Sequence, residues 1–179
     1  MKMQNELPSY LISEQECRSD MHALVPGSFD PITVGHMNII DRAAEKFQKV
    51  TAAVFVNSEK EYMLSLSQKT ELLTCACRHL PNVKTTFDVG YLCDFCRANG
   101  IEVIVKGVRN EKDYAYECRM AEYNYEHSGA RTLLLPANEE LTEISSTFVK
   151  SRLLEGKSVS QYLPEGVKEP LFRMLLQQL

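Results

Sequence analysis

Four stretches of this 179-residue chain place polar and basic side chains just past short apolar runs, where they could act on phosphate groups. After His22-Ala23-Leu24-Val25-Pro26 comes Gly27-Ser28-Phe29-Asp30-Pro31, then Gly35-His36. Gly27 allows a tight turn or a close backbone approach to a ligand. Asp30-Pro31 favours a further turn. Gly35-His36 opens a helix whose free N–H groups and dipole favour an anion. A histidine ring there can donate to a phosphate oxygen. A lone histidine is usually surface or satisfied core, but this one lies with Ser28 and Gly35 between a strand end and a helix start. Lys106 and Arg109 follow Glu102-Val103-Ile104-Val105, again at a strand end, and suit phosphate. Most such charges are simply solvated. Asp113, Tyr116 and Glu117 start the next helix. Ser145, Ser146 and Thr147 stand at a predicted helix N-terminus, where hydroxyls and backbone N–H groups can cradle phosphates and one hydroxyl must serve as the cap. Lys60, inside a Glu-Lys-Glu triplet, reads on its own as loop surface.

The elements that would position these groups alternate. Strands are expected at 22–26, 51–56, 83–88, 102–106 and 132–136. Between them, Met37, Ile40, Ala44 and Phe47 recur at helical spacing, and Ser65 with Gln68 forms a capping box for a helix to about His79. Further helices are expected from Leu92 to Asn99, ended by Gly100, from Asp113 to His127, from Ser145 or Ser146 to Glu155, and beyond Pro164. Short apolar strands alternating with helices argue for an α/β fold with a parallel sheet covered on both faces. Ligands in such sheets sit beyond the carboxyl ends of the strands.

The length suits one domain, 21–179, after an N-terminal extension, 1–20, that reads as partly disordered. Residues 1–20 have no basic region followed by an apolar run and do not read as a signal peptide. No stretch approaches the length of a membrane span. A formal net charge of −4 is a poor match for broad nucleic-acid binding. Cysteines stand at 17, 75, 77, 93, 96 and 118. Cys93 and Cys96 form a single C-x-x-C with no second pair, so the reading is reduced, small, buried cysteines in a cytoplasmic protein, not a metal site.

The string G-S-F-D-P-x-x-x-G-H, with Thr33 and Val34 before Gly35-His36, resembles the signature of nucleotidyltransferases with a T/H-x-G-H motif. Lys106-Gly107-Val108-Arg109 through Tyr116-Glu117 resembles the R-G-x-R-x-x-x-D-x-x-Y-E string of the phosphopantetheine adenylyltransferase family. The resemblance covers about Met21 to Val167. Departures are Lys106 for the usual Arg, Tyr62 for a common Pro, a shortened segment from Glu126 to Arg131, and Leu141-Thr142-Glu143 before Ile144-Ser145-Ser146.

The resemblance implies a Rossmann-like open five-stranded sheet of order 3-2-1-4-5. It implies transfer of AMP from ATP to 4′-phosphopantetheine, giving dephospho-coenzyme A and pyrophosphate. His36, Lys60 and Ser28 would serve the reacting centre. Ser28, Phe29, His36, Lys106, Gly107, Arg109, Glu117, Ser145, Ser146 and Thr147 would hold ATP. Ser28, Lys60, Tyr91, Leu92, Lys106 and Asn124 would hold the acceptor. It further implies Mg2+ bound mainly through ATP phosphates and water, no dedicated protein metal site, coenzyme A as feedback inhibitor, and a homohexamer. The nearest alternatives are a nicotinate mononucleotide adenylyltransferase and a non-catalytic nucleotide or coenzyme A sensor.

Overall fold

A computed structural model describes residues 7–57 and 60–177. Five strands, β1 (His22–Gly27), β2 (Lys49–Phe55), β3 (Val83–Asp88), β4 (Val103–Val108) and β5 (Arg131–Pro136), form one sheet. Every pairing is parallel and the order is β3-β2-β1-β4-β5, as the resemblance implies. The helices are α1 (Val34–Lys46), α2 (Leu66–Cys77), α3 (Leu92–Asn99), α4 (Glu111–Ser128), α5 (Ser146–Leu154) and α6 (Lys168–Leu176).

Alternation along the strands sorts side chains to two faces. Ala23, Val25, Val50, Ala52, Val54, Val103 and Val105 point into the larger core beneath α1, α2, α5 and α6. Leu24, Ala53 and Ile104 point the other way, into a smaller cluster with Cys96 and Ile101. Capping boxes start α1 at Thr33 with His36 and α2 at Ser65 with Gln68. The Thr33 cap starts α1 just before Gly35. Gly100, at φ 62°, ends α3 in the left-handed conformation, as its position suggested.

In the described part of the N-terminal extension, residues 7–20, a short segment lies against the edge of the sheet. Leu11 bridges Thr132 on β5 in parallel. The Ile12 N–H donates to the Thr132 carbonyl at 3.0 Å, and the Thr132 N–H donates to the Tyr10 carbonyl at 2.8 Å. Leu11 and Ile12 are both buried. The physical reason is the edge itself: β5 would otherwise present unpaired backbone groups. The apolar pair Leu11-Ile12 anchors the covering segment. Residues 1–6 lie outside the described residues.

Candidate active site

The order of strands reverses beside β1, and the site opens there. β1 and β4 pair only at Ala23–Val103 and Leu24–Ile104. Beyond that point the two strand ends part, and Val25, Pro26, Gly27, Val105, Lys106 and Gly107 line a cleft of about 450 Å³ between them. Phe29, Gly35 and His36 close one side. Lys60, Arg109, Glu117, Ser145 and Ser146 complete the polar wall. Four sequence segments, far apart in the chain, thus meet at the carboxyl edge of the sheet.

His36 is held by its own helix cap. Its Nδ1 accepts the backbone N–H of Thr33 at 3.1 Å and lies 3.0 Å from the Thr33 hydroxyl. Thr33 is fully buried. An Nδ1 that accepts places the proton of the neutral ring on Nε2. The Phe29 ring packs edge-on at 5.2 Å between centroids and fixes the imidazole from the side. Burial, and then the charges of Arg109 and Lys106, push the His36 pKa down to about 4. His36 is therefore a neutral hydrogen-bond donor at physiological pH.

Gly27 is needed for Phe29. A Cβ on Gly27 would sit 2.8 Å from the Phe29 Cζ, so the glycine makes room for the ring that braces His36. Phe29 itself adopts φ 45°, a region uncommon for residues with a side chain. Gly35 lets α1 approach the Ile144 carbonyl, which a Cβ would meet at 3.2 Å.

The cations are arranged by ion pairs. Lys106 Nζ lies 3.2 Å from Glu117 Oε1. Arg109 Nε donates to Asp113 Oδ2 at 3.0 Å. That bond orients the guanidinium through Nε and leaves the terminal nitrogens to face a ligand. Ser145 caps α5 by accepting the Phe148 N–H at 3.1 Å. Ser146 donates its hydroxyl to the Pro31 carbonyl at 2.8 Å, so its hydrogen ties α5 to the turn before α1. What this end of α5 offers an anion is chiefly backbone N–H groups and the helix dipole. Thr147 lies outside the main cleft, in an adjoining hollow shared with Arg109 and Ser145.

Lys60 reaches the cleft from the loop after β2. That loop is fastened by Asp30, one of the most buried polar residues. The Asp30 carboxylate accepts the Met63 N–H at 3.0 Å and the Leu64 N–H at 2.9 Å, and pairs with Lys150 Nζ at 3.0 Å. Sequence reading gave Asp30 only a turn role. Thr33 and Asp30 are the positioning groups it missed: no local spacing announces the Asp30 bonds, which form across more than 30 residues, whereas the Thr33–His36 pair stands at capping-box spacing and could have been found.

A smaller pocket of about 70 Å³ adjoins the cleft. Leu92, Asn124, Lys106 and Glu117 line it with Tyr116. Three residues expected at the acceptor, Leu92, Lys106 and Asn124, are thus brought together. Tyr91 is not: it stands 70% exposed at the start of α3 and lines neither chamber. Ser28, half-buried between Gly27 and Phe29, does not line the cleft either. Among the described residues no group of three or more His, Cys, Asp or Glu could hold a metal ion.

The sequence pattern of the cytidylyltransferase-like family matches residues 24–152. A phosphopantetheine adenylyltransferase of Cutibacterium acnes is 39% identical over 151 residues, 84% of this chain and 96% of that protein. The chain belongs to the phosphopantetheine adenylyltransferases of the cytidylyltransferase-like family. A second member of this family, from Frankia alni, is 39% identical over 153 residues, 83% of this chain and 94% of that protein. The fold is shared more widely than the family. A Vibrio parahaemolyticus structure named for nicotinate-nucleotide adenylyltransferase superposes with a TM-score of 0.65 at 20% identity, covering 86% of this chain and 93% of that one. No helix among the described residues is long and apolar enough to cross a membrane.

Proposed function

We propose that this chain transfers the adenylyl group of ATP to 4′-phosphopantetheine, forming dephospho-coenzyme A and releasing pyrophosphate. The observation that carries the reading is the meeting, in one cleft, of a neutral imidazole donor, two oriented cations and a helix N-terminus. An oxygen of the acceptor phosphate attacks the α-phosphorus of ATP. The bond from that phosphorus to the bridging oxygen breaks, and pyrophosphate leaves with the negative charge. The acceptor is already an anion, so no protein nucleophile or general base is required. The work of the enzyme is positioning and charge stabilisation.

His36 donates from Nε2 to the α-phosphate oxygen as charge develops there. Arg109, with the first turn of α5 at Ser145, Ser146 and Thr147, takes the β- and γ-phosphates. Lys60 holds the acceptor phosphate and offsets repulsion between the anions. Phe29, Gly107 and Glu117 shape the ATP side. Leu92, Asn124 and Lys106 shape the acceptor side, and Ser28 and Tyr91 join them through a rearrangement of their surroundings.

Magnesium fits this cleft as an ion carried on nucleotide oxygens and water. The two carboxylates facing the cations, Asp113 and Glu117, are already engaged by Arg109 and Lys106. When bound, the ion supplies neutralisation of phosphate charge. Coenzyme A, which shares the product's chemistry, would occupy the same chambers as a feedback inhibitor. The exposed run Phe87, Val89 and Tyr91 supports burial against another copy, in keeping with a homohexamer. All six cysteines are free, which supports a reducing, cytoplasmic setting.

The test is pyrophosphate release from ATP and magnesium with phosphopantetheine or nicotinate mononucleotide as acceptor. Turnover is expected with the first alone. A reversed preference would move the assignment to the nicotinate enzyme, and nucleotide binding without turnover would favour a sensor.

A further inference from the structure

The loop that brings Lys60 to the cleft is fastened at one end by Asp30, through Met63 and Leu64. Its other end is fastened by Tyr62. The Tyr62 hydroxyl accepts the Asn57 N–H at 2.8 Å, and the Asn57 carbonyl accepts the Lys60 N–H at 3.0 Å. The backbone of Lys60 is thus tied to the Tyr62 phenol through one intervening residue. The phenol in turn is seated on a fixed point: Lys69 Nζ lies 3.5 Å from the centroid of its ring. Lys69 is 1% exposed and stands at the start of α2. A positive charge there is disfavoured twice, by burial and by the positive end of the helix dipole. The nearby Asp30 carboxylate favours the charge, Lys150 opposes it, and the face of Tyr62 meets the ammonium directly at 3.5 Å. Ring and ammonium therefore hold each other, and the hydroxyl projects to the loop.

We propose that Tyr62 is a positioning residue for the acceptor phosphate, acting through Asn57 to set the backbone of Lys60, with buried Lys69 as its anchor. This rests on Lys60 binding that phosphate. A proline, common in the family at this place, restricts the loop through its own backbone; here a side-chain clamp does the corresponding work. Tyr62 touches no reacting atom, so its effect must pass through Lys60 and fall on one substrate.

The experiment compares KM and kcat for phosphopantetheine and for ATP in wild type, Tyr62→Phe, Lys60→Ala and the double variant. Tyr62→Phe keeps the ring over Lys69 and deletes only the hydroxyl. It is expected to raise KM for phosphopantetheine by about 3- to 10-fold, the range of one lost hydrogen bond, with KM for ATP little changed. In the Lys60→Ala background the same substitution should have no further effect. Trypsin cleavage after Lys60 should also quicken in Tyr62→Phe, which reads loop order without reference to catalysis. Unchanged KM, a loss of equal size in both backgrounds, or a loss shared by ATP would overturn the proposal. If Lys60→Ala alone leaves phosphopantetheine kinetics intact, the role of Lys60 fails first, and that failure is visible before Tyr62 is touched. Tyr62→Leu, which also removes the ring, is expected to lower thermal stability by stranding Lys69, and Lys69→Met beside it should restore stability while leaving KM high.

Discussion

Lys106 and Glu117, 3.2 Å apart between the end of β4 and α4, form a shared wall of the two chambers: both residues line the main cleft and the small pocket behind it. A cation placed on that wall can face the nucleotide on one side and the acceptor on the other.

Lys106→Ala is therefore expected to raise KM for both substrates, by about 10-fold where a charge-assisted contact of roughly 1.5 kcal/mol is lost. Lys106→Arg keeps the charge and should stay close to wild type, with ATP slightly tighter. Arg109→Lys should cost more, because Arg109 spends Nε on Asp113 and presents its remaining fork to the ligand. The measurement is kcat and KM across Lys106→Arg, Lys106→Ala, Arg109→Lys and Arg109→Ala. Wild-type behaviour in Lys106→Ala would remove Lys106 from the wall's function.

His36→Ala should lower kcat by about 10²–10³ with a smaller change in KM, the pattern of a donor that acts in the transition state. An unaltered kcat with a raised KM would instead make it a ground-state contact.

The depressed pKa of His36 also sets a stability window. In the unfolded chain the ring protonates near pH 6.5, whereas in the native cleft it does so only at about 4. Between those values the unfolded state binds more protons. The native state is therefore unpenalised above pH 6.5 and progressively destabilised as pH falls towards 4. At pH 5 the contribution is about 2 kcal/mol. Urea melts of wild type and His36→Gln at pH 7.5 and pH 5 should show the wild type losing that much more. Parallel losses would mean that His36 titrates normally.

Asp30→Asn should act at a distance. It leaves Lys150 without its partner and weakens the bonds from Met63 and Leu64. A loss of about 2–4 kcal/mol in unfolding free energy is expected, below the upper range for a fully buried pair because Lys150 is partly exposed. KM for phosphopantetheine should rise with it, because the Lys60 loop is released. Stability lost with KM unchanged would separate Asp30 from the loop.

Ile12→Ala should lower stability by about 2–4 kcal/mol and leave kcat within twofold, since Ile12 is buried yet far from the cleft. Deletion of 1–19 should likewise spare chemistry but lower the melting temperature. A selective loss of kcat in either variant would tie the extension to the site.

Most of the pattern of strands and helices was legible because β1, β2, β4 and β5 are short apolar runs and helices such as α2 and α5 start at a serine cap, whereas β3 is more polar and α3 and α6 start without a side-chain cap. His36, Lys60, Lys106, Arg109, Ser145 and Ser146 do converge on one cleft. What escaped reading depends on contacts between segments. Asp30 and Ser146 look like turn and cap residues until their partners across the fold, Leu64 and Pro31, are known. Gly27, read as allowing a tight turn or a close approach to a ligand, does line the cleft, and its missing Cβ also makes room for Phe29. Leu11 and Ile12 are too short an apolar run to show a period, so the docking of the extension left no local signal. The resemblance puts Tyr91 at the acceptor, yet its place ahead of α3 turns it to the surface.

The bridge between Leu11 and Thr132 has a consequence for how the chain comes off the ribosome. Segment 8–12 is made roughly 120 residues before its partner strand. During synthesis the leading segment has nothing to dock on, while β1 and β2, neighbours in sequence and in space, can already pair. Closure of the β5 edge must therefore wait for β5, and it joins a segment ahead of β1 to the strand that comes last in chain order. Any nascent chain stalled before β5 carries a loose leader, and any chain cut after Asp20 carries a finished sheet with one open flank.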